Sequence, residues 1–208
     1  MLDKNLLLVD IGGTNIRYAY SNIGDHSFVS ENKAELESLN DFDNLMSELL
    51  ANSVVKNIVF SVAGPKVNNS IKMTNRNFEI DANEIRKRFN LESCHLLNDW
   101  ESIGYSIKTF SENDFDDFKE GIPFNDNFLV IGPGTGLGAS VIFGKNVVAT
   151  EIGNTNLGLS ALKSLLRINS DEFNVLEHVI SGTGISRMFE TKTGKKAKSE
   201  EIFSLSLK

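Results

Sequence analysis

Cysteine is almost missing: Cys94 is the single one in 208 residues. That excludes an intrachain disulfide framework and a cysteine-based zinc site. Histidine is scarce as well, and His26, His95 and His178 lack the spacing of a metal-ligand set. There is no basic excess. The net charge is −7, and the short cluster Lys195, Lys196, Lys198 reads as a solvated loop. General binding to nucleic acid or to an anionic membrane surface is therefore not expected. No apolar run approaches the ~20 residues that span a bilayer. The start, Met1-Leu2-Asp3-Lys4-Asn5, lacks the pattern of a secretory leader. A cytoplasmic protein is the expectation. What is present is ordinary for a globular chain, 40% hydrophobic and 24% charged, and long enough for one large or two small domains.

Two glycine-rich turns carry most of the information. Asp10-Ile11-Gly12-Gly13-Thr14-Asn15 follows the apolar run Leu6-Leu7-Leu8-Val9. Gly132-Pro133-Gly134-Thr135-Gly136-Leu137-Gly138 follows Phe128-Leu129-Val130-Ile131. Apolar residues resume at once after each, so both read as strand, tight turn, strand. Glycine lets successive backbone N–H groups face one point, and such nests bind anions. Two nests far apart in sequence suggest a phosphate chain held from both sides. Either turn alone is most simply a hairpin. Neither is a P-loop, because no Gly-Lys-Ser/Thr follows, and neither fits the dinucleotide fingerprint, because a strand rather than a helix comes next. The first turn adds a carboxylate, Asp10, and a hydroxyl, Thr14, which suits a nucleotide carrying Mg²⁺. Asp10 also has a plainer role, bonding to nearby backbone N–H groups as aspartates in turns do.

Strands are expected at 5–10, 15–21, 27–34, 57–63 and 94–97. Helices are expected over 41–51, where Phe42, Leu45, Met46, Leu49 and Leu50 share a face, from an Asp81 cap through Phe89, and from Trp100 to about Ile107. The acidic, Phe-bearing stretch that begins at Phe110 is the expected boundary between two α/β domains, 1–109 and 110–208. Beyond Asn154 the pattern turns helical. Ser199-Glu200-Glu201 starts a helix that ends after barely two turns at Lys208, which suggests a truncated chain.

Asn98-Asp99 lies at a strand end. A carboxylate there suits a general base acting on a sugar hydroxyl, and equally a cap for the helix at Trp100. The residues alone leave both open. Glu151 and Glu177 are either surface glutamates, as most are, or acceptors for vicinal sugar hydroxyls.

The motifs together resemble the bacterial glucokinase family, ATP-dependent hexose kinases of the actin/hexokinase-like superfamily. Leu8 to Arg17 looks like its first phosphate motif. Met73-Thr74-Asn75, Leu97-Asn98-Asp99-Trp100-Glu101, Gly132 to Gly138 and Glu177-His178-Val179-Ile180-Ser181-Gly182 are similar to further segments, in the family's order. The resemblance implies an α/β fold of two ribonuclease H-like halves around a cleft, the second half incomplete. The family's C-terminal third, with its adenosine-contacting turn and closing helix, has no counterpart here. It implies transfer of the γ-phosphoryl of ATP to the 6-hydroxyl of glucose, the first step of glycolysis, with ATP and Mg²⁺ as cofactors. Asp99 would be the catalytic base. Asn98, Asp99, Glu151, Asn154 and Glu177 would bind the sugar. Asp10, Gly12, Gly13, Thr14, Asn15, Gly134, Thr135 and Gly136 would bind the nucleotide, with Asp10 reaching Mg²⁺ through water. A homodimer is left open.

The sequence departs from the family at Glu151-Ile152-Gly153-Asn154, where the usual segment is Glu-Gly-Gly-His. Asn154 has a shorter reach than histidine, and Ile152 would be strained if the turn needed a positive φ. Alternatives are a non-catalytic sugar-binding or regulatory relative, or an inactive fragment of the kinase. The related repressor/kinase family ranks lowest, since its zinc site needs cysteines this chain lacks.

Overall fold

A computed structural model of the chain describes residues 3–12, 15–35, 38–51, 54–73, 79–119, 121–122 and 124–206. The chain divides into two compact units, Met1–Ser102 and Ile103–Lys208.

The first unit opens with strands β1 (Leu6–Ile11), β2 (Asn15–Ser21) and β3 (Val29–Glu35), an antiparallel meander. Helix α1 (Leu39–Ala51) crosses back so that β4 (Asn57–Val62) pairs with β1 in parallel. Three short strands follow, β5 (Lys66–Val67), β6 (Ser70–Lys72) and β7 (Glu79–Asp81), forming a small sheet of their own. Helix α2 (Ala82–Arg88) then leads to β8 (Ser93–Asn98), parallel to β4. The main sheet runs β3-β2-β1-β4-β8, a ribonuclease H-like order. Alternation places Leu7, Val9 and Ile11 on the buried side of β1. They share a core with Phe42 and Met46 of α1, Phe60 of β4 and Ile85 of α2. Each such side chain contributes about 1.5–3 kcal/mol when fully buried. The Asp81 cap forms as its position suggests, accepting from Asn83 N at 2.7 Å and Glu84 N at 3.0 Å. Its bond from Glu84 comes first among the contacts that hold its carboxyl below the usual range.

The small sheet has no counterpart in the expectations. Its strands are two or three residues long and mostly polar, too short for a period-2 signal. Cys94 lies on β8, buried among Leu91, Leu96 and Ile85 of that core. Burial pushes its thiol up to about 12. It should therefore stay unmodified by a thiol-specific reagent at neutral pH and react only after denaturation, because the thiolate is the nucleophile. Prompt labelling of native protein would contradict that burial.

Helix α3 (Asp99–Ser106) follows β8 without a loop, and the unit boundary falls inside it. In the second unit β9 (Asn127–Pro133), β10 (Leu137–Phe143) and β11 (Asn146–Thr150) form an antiparallel sheet in the order β11-β10-β9. This repeats the β3-β2-β1 portion of the first unit, with the second glycine turn where the first unit has its own. Helices α4 (Leu159–Leu166), α5 (Gly182–Thr193) and α6 (Ser199–Ser206) complete it among the described residues. Leu159, Ile168, Phe173 and Val179 form its buried cluster. No helix among the described residues is long and apolar enough to cross a membrane.

Candidate active site

The first glycine turn joins β1 to β2, and Gly12 N donates to the Asn15 carbonyl at 3.0 Å. Gly13 and Thr14 lie outside the described residues. Asp10 is exposed at the end of β1, and its Oδ1 accepts from Ser61 Oγ of β4 at 3.2 Å. Parallel pairing puts these residues side by side at the same level of the sheet. A depression of about 280 Å³ on that face includes Asp10 and Ser61, but the rest of its lining, such as Leu8, Phe28 and Val59, is largely apolar.

The β8–α3 corner settles which residue caps the helix. It is Asn98. Its Oδ1 accepts from Trp100 N at 2.9 Å and Glu101 N at 3.3 Å. The Glu101 carboxylate answers by accepting from Asn98 N at 3.2 Å, which completes a capping box. Asn98 Nδ2 donates to the Gly64 carbonyl at 2.8 Å, tying the end of β8 to the chain leaving β4. The alternative that Asp99 is the cap is thereby corrected, since capping falls to the buried amide one residue earlier. Asp99 occupies the first position of α3, half-buried, with Oδ1 accepting from Trp100 N at 3.0 Å.

The second unit gathers four other candidates, Gly134, Thr135, Gly136 and Glu177, around one turn. Between β9 and β10, the Gly134 carbonyl accepts from Gly182 N at 2.8 Å and the Thr135 carbonyl accepts from Thr183 Oγ1 at 2.9 Å. In a trans peptide the N–H points opposite to the C=O. With those two carbonyls drawn onto the start of α5, the N–H groups of Thr135 and Gly136 are aimed away from it, as an anion nest requires. Glu177 Oε2 accepts from Leu137 N at 2.8 Å. A Cβ on Gly136 would collide with that carboxylate. Glu177 thus braces the second glycine turn.

Glu151 precedes a 3₁₀ turn, Ile152–Asn154, and accepts from Asn154 Nδ2 at 3.1 Å. Ile152 is right-handed helical and is not among the positive-φ residues, so the strain anticipated there does not arise. Gly153 is the constrained position, since a Cβ on it would meet the Leu137 carbonyl at 2.5 Å. Glycine there lets the Glu151 segment lie against the start of β10.

One feature escaped the sequence. A cleft of about 1110 Å³ opens beside Gly134 and Thr135, lined by Arg187 of α5 and by Lys196, Lys198 and Phe203. Lysines that read as a solvated loop border this cleft, although Lys196 remains exposed and lies 3.7 Å from Glu190. Only their distance in sequence from the turn concealed the association.

Among the described residues, a Cβ at Gly134 would meet nothing within 4 Å, and at Gly12 the nearest atom is 3.7 Å away. Neither residue has a positive φ. Nothing among the described residues demands glycine at either place, and glycine leaves the backbone open to close approach by a ligand. No group of three or more His, Cys, Asp or Glu side chains stands together among the described residues. A single carboxylate such as Asp10 fits Mg²⁺, which is commonly held by one or two carboxylates, several waters and the phosphates of the substrate.

The described residues thus comprise two α/β units, each with a strand–glycine turn–strand, and a carboxylate at a capped strand–helix corner. A family model described as glucokinase matches residues 7–205. The chain belongs to the glucokinase family. It is 27% identical over 203 residues to a glucokinase of Trichormus variabilis, covering 89% of this chain and 59% of that protein. It is 31% identical over 147 residues to one of Campylobacter jejuni subsp. doylei, covering 64% and 41%. A crystal structure of a glucokinase from an Antarctic psychrotroph superposes with a TM-score of 0.74 at 25% identity, covering 99% of this chain and 71% of that one. That of Balamuthia mandrillaris glucokinase in complex with glucose gives 0.68 at 19%. The chain spans 59% of the length of the Trichormus relative and 62% of a Nostoc punctiforme one.

Proposed function

We propose that the protein is an ATP-dependent hexose kinase that moves the γ-phosphoryl group of ATP to the 6-hydroxyl of glucose or a related hexose, at the entry to glycolysis. The observation that carries this reading is the pair of turn glycines, Gly12 and Gly134, that among the described residues neither backbone conformation nor packing requires. Asp99 takes the proton of the attacking sugar hydroxyl as that oxygen bonds to phosphorus, and ADP departs. Asn98 holds the corner on which Asp99 stands, while Glu151, Asn154 and Glu177 supply acceptors and an amide for sugar hydroxyls. The N–H groups of Thr135 and Gly136 face the phosphates, and the cleft along α5 and α6 takes the base and ribose. When bound, Mg²⁺ neutralises charge on the transferring phosphates, and Asp10 is the residue that holds it, through water.

Gly134→Ala tests this directly. The variant should melt like the parent, because the added methyl meets nothing within 4 Å among the described residues. Its KM for ATP should rise roughly 10-fold or more, the equivalent of one lost charged hydrogen bond at ~1.5–3 kcal/mol. Unchanged ATP affinity would remove the turn from the nucleotide site. A second reading, a sugar-binding relative without catalysis, draws on the Asn154–Glu151 bond, which engages one carboxylate oxygen. Calorimetric glucose binding with no ATP-dependent turnover would favour it.

A further inference from the structure

Lys66 and Glu101 take no part in the chemistry just described, yet they converge on its base. Lys66 opens β5, immediately after the Gly64-Pro65 turn. Its ammonium donates to both oxygens of Glu101, at 3.3 and 3.1 Å. Glu101 is only 9% exposed. The same carboxylate accepts from Asn98 N, and Asn98 in turn reaches back to the Gly64 carbonyl, two residues before Lys66. The result is a closed loop of bonds: Lys66 to Glu101, Glu101 to Asn98, and Asn98 to Gly64. Asp99 sits inside that loop, between Asn98 and Glu101. Gly64 itself is fixed, with φ +146° and a Cα that approaches the Lys72 carbonyl so closely that a Cβ would lie 2.8 Å from it.

An ordinary capping box needs no lysine. A glutamine at the Glu101 position would cap as well, so the charge and the cation that meets it call for another explanation. A buried carboxylate without its cation is costly, and restoring neutrality relieves that cost. We propose that the Lys66–Glu101 ion pair is a positioning device that fixes the Asn98–Asp99 corner, and with it the direction in which the Asp99 carboxylate meets the sugar hydroxyl. The proposal rests on the hexose kinase reading. The small sheet β5–β7 then has a purpose in the site: it carries the lysine that locks the base.

The chain offers its own reporter. Trp100 is the only tryptophan and follows Asp99 directly, so its emission reads the corner. The experiment compares the full chain with Lys66→Met, Lys66→Arg, Glu101→Gln, the double variant Lys66→Met/Glu101→Gln, and Asp99→Asn. Measurements are kcat, KM for glucose and for ATP, melting temperature, and Trp100 emission with acrylamide quenching. Lys66→Met should lose ~10-fold in kcat, within the range that small misplacements cause, with KM for ATP unchanged and a shifted Trp100 emission. The double variant should recover to within about 3-fold of the parent, because its glutamine caps Asn98 and leaves no unpaired charge. Lys66→Arg should stay near the parent. Normal kcat and unshifted emission in Lys66→Met would overturn the proposal. So would a double variant no better than Lys66→Met. An active Asp99→Asn, or a parent that phosphorylates no hexose, would instead overturn the kinase reading and take the proposal with it. An inactive Asp99→Asn beside an undisturbed Lys66→Met would sink the positioning role alone.

Discussion

Asp99→Asn is expected to lower hexose phosphorylation by about 10²–10⁴-fold, the range for loss of a placed general base, while glucose still binds. The amide keeps the shape of the carboxylate, and its oxygen can accept from Trp100 N as Asp99 Oδ1 does. The capping bonds belong to Asn98 and Glu101, so the helix start survives the change. One charge at the N-terminus of α3 is lost, at roughly 0.3–1 kcal/mol, too little to unfold a domain. Stability and catalysis should therefore separate cleanly. Calorimetry with glucose and a melting curve would show a parent-like protein. A coupled assay would show the loss. Turnover within a few-fold of the parent would rule out Asp99 as the base.

That separation depends on something the sequence did not display. Spacing left Asp99 open as either a general base or the cap of the helix at Trp100, because strand and helix abut, and it did not single out Asn98 as the cap. Hydrogen bonding decides it: only a side chain one residue before the first helical turn can reach both Trp100 N and Glu101 N. Elements with strong patterns were legible. Leu6 to Ile11, Asn57 to Val62 and the Phe42/Met46 face of α1 each carry a run or period that one conformation satisfies. The strand–turn–strand reading of both glycine segments holds for the same reason. The β5–β7 sheet was not legible, since two-residue strands have no period. Lys66 could not be connected with Glu101, 35 positions away, without that sheet. Glu177 read as either a surface glutamate or an acceptor for sugar hydroxyls, and its bond from the Leu137 amide was not legible, since that contact is made by tertiary folding alone.

Gly184→Ala gives the other large effect, and its sign runs against helix propensity. Gly184 lies in the first turn of α5, where alanine would ordinarily stabilise a helix by up to about 1 kcal/mol. Here a Cβ would meet His178 O at 2.6 Å, His178 C at 2.8 Å and Glu177 O at 3.0 Å. These are backbone atoms, so no rotamer change relieves the overlap, and overpacking of this kind costs about 1–3 kcal/mol. The clash wins. What must move is either the 3₁₀ turn that carries Glu177 or the start of α5. The first holds the Leu137 amide through Glu177. The second holds the Gly134 and Thr135 carbonyls through Gly182 and Thr183. Ser181 links the two, donating to the Glu177 carbonyl at 2.7 Å and accepting from Gly184 N at 3.0 Å. Either movement disturbs the second glycine turn and Glu177 together. Activity should fall roughly 10–100-fold, with KM raised for both ATP and hexose, since misplacement by about 1 Å has that effect. Gly134→Ala should raise KM for ATP alone, so the pair of variants separates loss of a cradle from loss of its support. A Gly184→Ala protein with unchanged kinetics would mean that Glu177 and α5 do not hold the turn.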